Sequence, residues 1–214
     1  MRPEILRPEL WQVLQRLMAW KHLDEFILVG GTSLALRSGY RESVDIDLFC
    51  HPSFDQERIR DLLLDAFPGI SLTSVSAAGL FASYQGVKID LVKHRQPWLA
   101  SHDAAQGIRL VSLEDLAAMK VNAVMGRGSK KDFSDLLYLH DNGLSLATAV
   151  GHFTRKYSKD LLFSAIRSLN YFGDSEGEFD PSYRNGWTWP LVRSRMVRLG
   201  AELSRNFPQA GGNA

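Results

Sequence analysis

Two carboxylates lie two residues apart in an otherwise apolar stretch, Val44-Asp45-Ile46-Asp47-Leu48-Phe49. Because side chains alternate along a β-strand, Asp45 and Asp47 share one face, whereas Val44, Ile46 and Leu48 share the other. Two acids held together on a rigid strand repel each other unless a cation lies between them. Mg²⁺ prefers oxygen ligands and commonly binds phosphate chains. The spacing predicts a site for a metal-bound nucleoside triphosphate (NTP), with Mg²⁺ or Mn²⁺ as the metal. The alternative is an edge strand with a solvated acidic face.

A glycine pair upstream of this strand could bring backbone amides close to a phosphate. Gly30-Gly31 follows a short apolar strand, and Thr32 and Ser33 open the next helix. Glycine has no side chain to obstruct an anion, and a helix N-terminus favours negative charge. The same residues also suit a plain strand-to-helix turn with hydroxyl N-caps. Arg41 and Ser43 precede the acids at a spacing that favours local ion pairing or a phosphate contact.

A third acid, Asp90, lies inside the apolar strand Val87–Val92. It could pair with Lys88, which is two residues away on the same strand face. It could instead be a third metal ligand, or the base for an attacking hydroxyl. Three carboxylates that hold two metal ions can stabilise both the attacking and the leaving oxygen of a phosphoryl-type displacement. The residues alone leave both interpretations open.

The helical half of the chain adds further charged candidates. Lys120 either extends its amine from an apolar stripe to solvent or reaches a triphosphate. Asp132 and Asp135 share one face of the next helix, although Asp132 could simply stabilise the helix N-terminus. The turn between these helices is either a solvated basic turn or a phosphate-binding corner. Its basic residues are Arg127, Lys130 and Lys131. Another basic run, 93–95, directly follows the Asp90 strand.

Composition restricts the partners and the compartment. The 214 residues include 25 basic and 24 acidic side chains, so any nucleic-acid contact must depend on a local patch. The single cysteine, Cys50, excludes an internal disulfide framework and a four-cysteine zinc site, and we interpret it as a small buried hydrophobe. No signal peptide or stretch of transmembrane length is found, so we expect a cytoplasmic protein with no membrane partner.

Hydrophobic periodicity divides the chain into two halves. Residues 1–108 are predicted to form a mixed α/β core, with a turn at Gln85-Gly86 and a loop near 96–107. Residues 109–206 are predicted to be helical, and 207–214 a disordered tail.

Together, these motifs resemble those of the AbiEii-type nucleotidyltransferases, a branch of the polymerase-beta-like nucleotidyltransferase superfamily. That branch includes toxins of toxin–antitoxin systems and the mycobacterial MenT toxins. Three motifs carry the resemblance, and they occur in the family's order. They are Gly30-Gly31-Thr32-Ser33, Arg41-x-Ser43-x-Asp45-Ile46-Asp47-Leu48 and Lys120-x6-Arg127-x3-Lys131-Asp132-x2-Asp135-Leu136. The family commonly has Arg-Asp where this chain has Lys131-Asp132, which keeps the charge and loses the planar fork of the guanidinium.

The resemblance implies an α/β (α+β) fold, a polymerase-beta-like mixed sheet flanked by helices and followed by a helical C-terminal part, with NTP bound between them. The implied reaction moves a nucleoside monophosphate from an NTP to an acceptor hydroxyl and releases pyrophosphate. The implied acceptor is RNA, such as a tRNA 3′ end, and the implied partner is a cognate antitoxin. Alternatives are nucleotidylation of a small molecule or protein, and a non-catalytic module that binds NTP or RNA.

The motifs and the resemblance together define the candidate residues. The candidate metal ligands are Asp45, Asp47 and, by analogy with the superfamily, Asp90. The other candidate catalytic residues are Lys120, which would contact the nucleotide, and Asp132 or Asp135. The candidate nucleotide-binding residues are Gly30, Gly31, Thr32, Ser33, Arg41, Ser43, Arg127 and Lys131.

Overall fold

A computed structural model of the chain describes residues 1–51 and 53–207. The predicted disordered tail lies outside the described residues, except for Phe207. The chain forms two compact units, the first ending at Ser112 and the second beginning at Leu113.

The first unit is a mixed sheet of seven strands with three α-helices, as the α/β interpretation predicts. Its strands are β1 (Ile27–Leu28), β2 (Asp45–Cys50), β3 (Ser71–Ser76), β4 (Gly79–Tyr84), β5 (Val87–Lys93), β6 (Asp103–Ala105) and β7 (Ile108–Leu110). Its helices are α1 (Pro8–Ala19), α2 (Gly30–Ser38) and α3 (Gln56–Ala66). The strand order is β3-β4-β5-β2-β1-β7-β6. Strands β2 and β5 are parallel neighbours at the centre, so the acidic strand does not lie at an edge.

Two hairpin turns of the first unit, Gln85-Gly86 and Gln106-Gly107, have nearly the same φ angles. The predicted turn at Gln85-Gly86 is confirmed, and both residues have positive φ (51° and 74°). The stretch 96–107, predicted as a loop, contains β6 and the turn Gln106-Gly107, which also has positive φ at both residues. Strand β7 pairs in parallel with β1. A boundary after residue 108 would cut this strand, and the compact unit accordingly extends to Ser112.

The apolar faces of the central strands form the core of the first unit. Ile46 and Leu48 of β2 cluster with Leu10, Leu14 and Leu17 of α1, all fully buried. Because side chains alternate, Asp45 and Asp47 are directed to the opposite face of the sheet.

Cys50 continues the apolar face of β2 and is completely buried, which confirms its interpretation as a core residue. Burial, together with the nearby charge of Glu25, raises the pKa of the Cys50 thiol to about 11. The thiol is therefore protonated at neutral pH and is a poor nucleophile.

The second unit is built from helices, as predicted. They are α4 (Leu113–Arg127), α5 (Lys130–Asp141), α6 (Leu146–Lys156), α7 (Leu162–Ser168) and α8 (Trp189–Asn206). A 3₁₀ turn (Lys159–Leu161) leads directly into α7. Phe133 and Phe153 are fully buried, and the rings of Phe133 and Phe172 pack 4.7 Å apart. Within residues 1–51 and 53–207, no helix is long and apolar enough to cross a membrane.

Candidate functional site

The polar face of the β2–β5 pair brings the three predicted acids of the first unit together with one lysine. In the parallel register, Asp47 lies opposite Asp90 and Asp45 lies opposite Lys88. Lys88 Nζ donates a hydrogen bond to Asp90 Oδ2 at 2.7 Å. This hydrogen bond, with the negative charges of Asp90, Asp45 and Asp47, raises the pKa of Lys88. The Lys88 ammonium therefore lies in the field of all three carboxylates.

The two interpretations of Asp90 concern different oxygens of the same carboxylate. The pair with Lys88 is formed and uses Oδ2. The other oxygen, Asp90 Oδ1, is buried and has no hydrogen-bond partner among the described residues. A buried carboxylate oxygen without a partner is costly, because it has lost water without gaining a donor or a cation. This oxygen is therefore well suited to bind a cation or to accept a hydrogen bond from a ligand.

The described part of the chain contains no group of three or more His, Cys, Asp or Glu side chains close enough together to hold a metal ion. A complete protein cage is not what Mg²⁺ requires, since it is usually bound by one or two carboxylates and by the phosphates of its substrate. Asp47 and its register neighbour Asp90 supply the oxygen ligands that Mg²⁺ and Mn²⁺ prefer.

The glycine pair provides space for two charged side chains. Gly30 has φ +68°, and a Cβ added there would collide with the carboxylate of Asp47. A Cβ at Gly31 would lie 2.6 Å from Arg41 Nη2 and 3.1 Å from Ser43 Oγ. The motif therefore allows Asp47 and Arg41 to approach the start of α2 closely. Sequence reasoning predicted only the approach of a phosphate, because these contacts join residues distant in the chain.

The hydroxyls that were predicted to contact phosphate are used inside the first unit. Thr32 and Ser33 are both completely buried. The Thr32 hydroxyl is hydrogen-bonded to the Asp45 carbonyl oxygen and to Ser43 Oγ. Arg37 Nη1 donates a hydrogen bond of 2.7 Å to Ser33 Oγ. We therefore do not assign the hydroxyls of Thr32 and Ser33 to the nucleotide. The Thr32 hydroxyl joins α2 to β2, and the Ser33 hydroxyl accepts from Arg37 one turn further along the same helix.

Arg41 is also built into the first unit. Its guanidinium is buried, with Nε donating to the Tyr40 hydroxyl at 3.0 Å and Nη1 donating to the Glu42 carbonyl at 2.8 Å. These contacts are hydrogen bonds to neutral groups of the two residues next to Arg41 in the chain.

The second unit contains a buried charge network around Asp132. Lys120 Nζ lies 3.1 Å from Asp132 Oδ1 and 2.5 Å from Asp135 Oδ2, and the side chains of both acids are fully buried. Arg127 Nε donates a hydrogen bond of 2.7 Å to Asp132 Oδ2, and Arg127 Nη2 donates one of 3.0 Å to Asp132 Oδ1. Ser129 Oγ donates a further hydrogen bond of 2.7 Å to the same carboxylate. Lys120, Arg127, Asp132 and Asp135 thus meet within one network.

Electrostatics decides the charge state of Asp132. Burial by itself would raise the pKa of the Asp132 carboxyl. The positive charges of Lys120 and Arg127, with the Ser129 hydrogen bond, outweigh it and hold that pKa well below its usual range. Asp132 is ionised at neutral pH and fixes the two cations that contact it.

In the basic turn, the structure gives different environments to neighbouring lysines. Lys131, which was predicted to bind nucleotide, is exposed, whereas Lys130 is buried. Lys130 Nζ donates to the Glu178 carbonyl at 2.7 Å and to Asp180 Oδ1 at 2.8 Å, and its backbone N–H donates to Glu178 Oε2. The charges of Arg127 and Lys130 are therefore already matched by carboxylates.

One buried ion pair of the second unit was missed entirely. Asp115 Oδ1 and Lys156 Nζ lie 2.6 Å apart with no exposed side-chain surface. Burial lowers the pKa of Lys156, and the contact with Asp115 opposes that shift. Burial, with the charge of Asp115, also raises the pKa of Tyr157 to about 12. Nothing in the local sequence connects Asp115 to a lysine 41 positions away.

Solved structures with a similar fold include nucleotidyltransferases. The nucleotidyltransferase toxin MenT4 from Mycobacterium tuberculosis H37Rv shares the fold, with a TM-score of 0.51 and 16% identity over 92% of this chain and 86% of that one. JHP933 from Helicobacter pylori is similar, with a TM-score of 0.55 and 16% identity over 94% of each chain.

The family model described as "Nucleotidyl transferase AbiEii toxin, Type IV TA system" matches residues 12–195. The chain therefore belongs to the AbiEii family of nucleotidyltransferase toxins. An uncharacterised protein of Aquifex aeolicus (strain VF5) is 32% identical over 179 residues, which cover 81% of this chain and 86% of that protein.

Proposed function

We propose that this protein transfers a nucleoside monophosphate from an NTP to a hydroxyl of RNA, such as a tRNA 3′ end. We further propose that it acts as a cytoplasmic toxin that is inhibited by an antitoxin. The observation that carries the proposal is the pairing of Asp47 with Asp90 across two central strands, beside a glycine turn that admits the Asp47 carboxylate. Family membership supports the reaction class.

In this proposal Asp47 and Asp90 hold a divalent metal ion together with the phosphates of the NTP, and Asp45, on the same strand face as Asp47, adds negative charge beside them. When bound, Mg²⁺ or Mn²⁺ would neutralise the charge that develops on the phosphates during transfer. The acceptor hydroxyl oxygen forms a bond to the α-phosphorus, and the bond from that phosphorus to the bridging oxygen breaks as pyrophosphate leaves. The unpartnered oxygen of Asp90 would bind the metal or accept the hydroxyl proton. The backbone N–H groups at the start of α2, near Gly30 and Gly31, would bind phosphate oxygens.

For the second unit we propose a nucleotide-binding role for Lys120 and Arg127. Both cations are held by Asp132, and Asp135 also holds Lys120. A cation fixed in this way costs little additional ordering when it meets a phosphate. Asp132 and Asp135 would then act as positioning residues, and exposed Lys131 would contribute charge only.

The test uses purified protein, Mg²⁺, total cellular RNA and each α-labelled NTP in turn, beside an Asp45→Ala/Asp47→Ala variant. We expect a labelled RNA band with the wild type and none with the variant. Label in a protein or small-molecule fraction would instead support the alternative acceptors. NTP binding with no label in any fraction would contradict the transferase proposal and favour a non-catalytic binding module.

Replacing Gly30 by Ala tests whether the glycine serves the Asp47 carboxylate. An added Cβ would collide with the Asp47 carboxylate and displace it. We expect the transfer rate to fall by about a hundredfold, because a misplacement of about 1 Å in an active site has an effect of that size. Gly69 is the matched control, since it has φ +87° with nothing within 4 Å of an added Cβ. Gly69→Ala should cost only the strain of about 1–2 kcal/mol and leave the transfer rate unchanged. Equal transfer rates in the two variants would contradict this role.

Replacing Lys88 by Met tests whether its ammonium competes with the metal. We expect Mn²⁺ to bind about fivefold more tightly in a calorimetric titration, because an exposed ion pair is worth up to about 1 kcal/mol. The metal-free variant should melt at a lower temperature, since Asp90 loses its ion pair with Lys88. Lys93→Met is the control, because Lys93 Nζ donates to Gln56 rather than to a carboxylate. Weaker Mn²⁺ binding by the Lys88 variant would contradict this prediction.

A further inference from the structure

Helix α8 concentrates positive charge within a chain that is nearly neutral overall. Its 18 residues contain four arginines and one acid, Glu202, whereas the net charge of the whole chain is +1. Arg195 is neutralised by a bidentate pair with Asp141, with both N···O distances 2.6 Å. The other three arginines are exposed, and we call them the α8 arginines. They are Arg193, Arg198 and Arg205.

The helical repeat arranges these charges along the solvent side of α8. Arg198 and Arg205 are seven residues apart, so they lie on one strip about 10 Å from each other along the axis. Neither one makes a side-chain hydrogen bond or ion pair with any residue that the structure describes. The exposed small residues Ser194 and Ala201 lie on the same side of the helix and leave the guanidinium groups open to a large ligand.

A groove of about 550 Å³ runs beside the first turns of α8. Trp189, Pro190 and Val197 give it an apolar wall, and Val197 is 46% exposed. Arg193 and Arg198 line the same groove, and the Arg193 guanidinium lies 5.6 Å from the centre of the Phe172 ring. The lining also includes one acid, Glu176. Cations beside an apolar wall suit a sugar-phosphate backbone, in which charged phosphates alternate with riboses.

The basic turn at 127–131 is less suited to this task. Arg127 is assigned to the nucleotide under the proposed function, Lys130 is bound to Asp180 and Glu178, and of the two lysines only Lys131 is exposed. Binding of a nucleic-acid backbone depends on cations that can neutralise phosphates and release their counterions. In the second unit the α8 arginines satisfy this condition better than the turn does.

We propose that the α8 arginines bind the phosphate backbone of the acceptor RNA. This inference rests on the proposed function in so far as RNA is the acceptor. Contacts of this kind position the RNA without reading its bases, so they should be insensitive to sequence and sensitive to salt. Their contribution is to the docking of the acceptor and not to the chemical step.

The test measures binding of a fluorescein-labelled hairpin RNA with a single-stranded 3′ end, without NTP, from about 50 to about 200 mM salt. For Arg198→Gln/Arg205→Gln we expect the Kd to rise about tenfold and the slope of log Kd against log salt to fall by about 1 to 2. In the transfer assay the KM for RNA should rise while kcat and the KM for NTP stay constant. The control, Arg7→Gln/Arg58→Gln, removes the same charge from exposed positions of the first unit and should stay within about twofold.

The possible outcomes separate this inference from the proposed function. Equal Kd values and salt slopes for the α8 and control variants would overturn the α8 proposal, while RNA labelling by the wild type would leave the proposed function intact. Arginine-dependent RNA binding with label appearing only in protein or small molecules would overturn the RNA acceptor and support the α8 surface. A wild type that neither binds nor labels RNA would overturn both. The α8 proposal would also fail if the arginines bound an acidic protein and no RNA.

Discussion

Asp132→Asn is expected to lower the free energy of unfolding by about 3 kcal/mol, measured by urea denaturation. Removing one partner of a buried ion pair typically costs about 3–5 kcal/mol, because the remaining charge stays desolvated. We expect the lower end of this range, since Lys120 retains Asp135 and the Arg127 side chain is 57% exposed. Asp132 itself is completely buried.

Asp141→Asn is the matched control, because it also removes an arginine–aspartate ion pair but at a more exposed position. Asp141 also binds an arginine with both oxygens, but the side chains of Asp141 and Arg195 are 25% and 33% exposed. Asp141→Asn should cost only about 0.5–1 kcal/mol, because exposed pairs are weak. If both substitutions cost the same small amount, the network around Asp132 does not stabilise the second unit.

The same network predicts how stability depends on pH. The pKa of Asp132 is lower in the folded than in the unfolded protein, so the unfolded state binds a proton first as the pH falls. The contribution of Asp132 is therefore complete above the unfolded value of about 3.9 and is lost progressively below it. In Asp132→Asn this part of the acid destabilisation should be missing. Parallel stability curves for the two proteins below pH about 4 would contradict the assignment.

Asp47→Asn is expected to lower kcat for nucleotide transfer by about a thousandfold, within the range seen when a charge-stabilising group is lost from a phosphoryl-transfer site. Asparagine keeps the shape beside Gly30 and removes the negative charge that faces Asp90. Mn²⁺ binding, followed by calorimetry, should weaken strongly.

Asp55→Asn is the control for this substitution. Asp55 caps α3 by accepting a hydrogen bond from the Arg58 N–H, and asparagine caps a helix about as well. Its transfer rate and its stability should match those of the wild type. Unchanged transfer in Asp47→Asn would remove Asp47 from the catalytic group, and a large loss of stability would show that its role is structural.

Local patterns in the sequence were sufficient to predict most elements of both units. The alternation of residues 44–49 predicted a strand with an acidic and an apolar face, because successive side chains of a strand point to opposite faces of the sheet. The turn Gln85-Gly86 was predicted from its residue types. The hairpin of β6 and β7 was missed because each strand has only three residues, too few to show a periodic pattern.

Motifs also identified the candidate residues, but not what each of them contacts. Gly30-Gly31 was recognised as a turn, whereas the structure shows that its open space admits Asp47 and Arg41. A basic turn was recognised, whereas the structure buries Lys130 and exposes Lys131. In both cases the partner comes from a distant part of the chain, and single-sequence patterns contain no information about it.

The sequence by itself therefore determined the kinds of element, the reaction class implied by its motifs and the position of the acidic strand. Those features depend on neighbours in the chain and on side-chain chemistry. Tertiary structure alone decided that Asp47 faces Asp90, that Asp132 holds Lys120 and Arg127, and that Asp115 is buried against Lys156. Each of these depends on strand register or helix packing, which brings together side chains that are not neighbours in the sequence and removes water from around them.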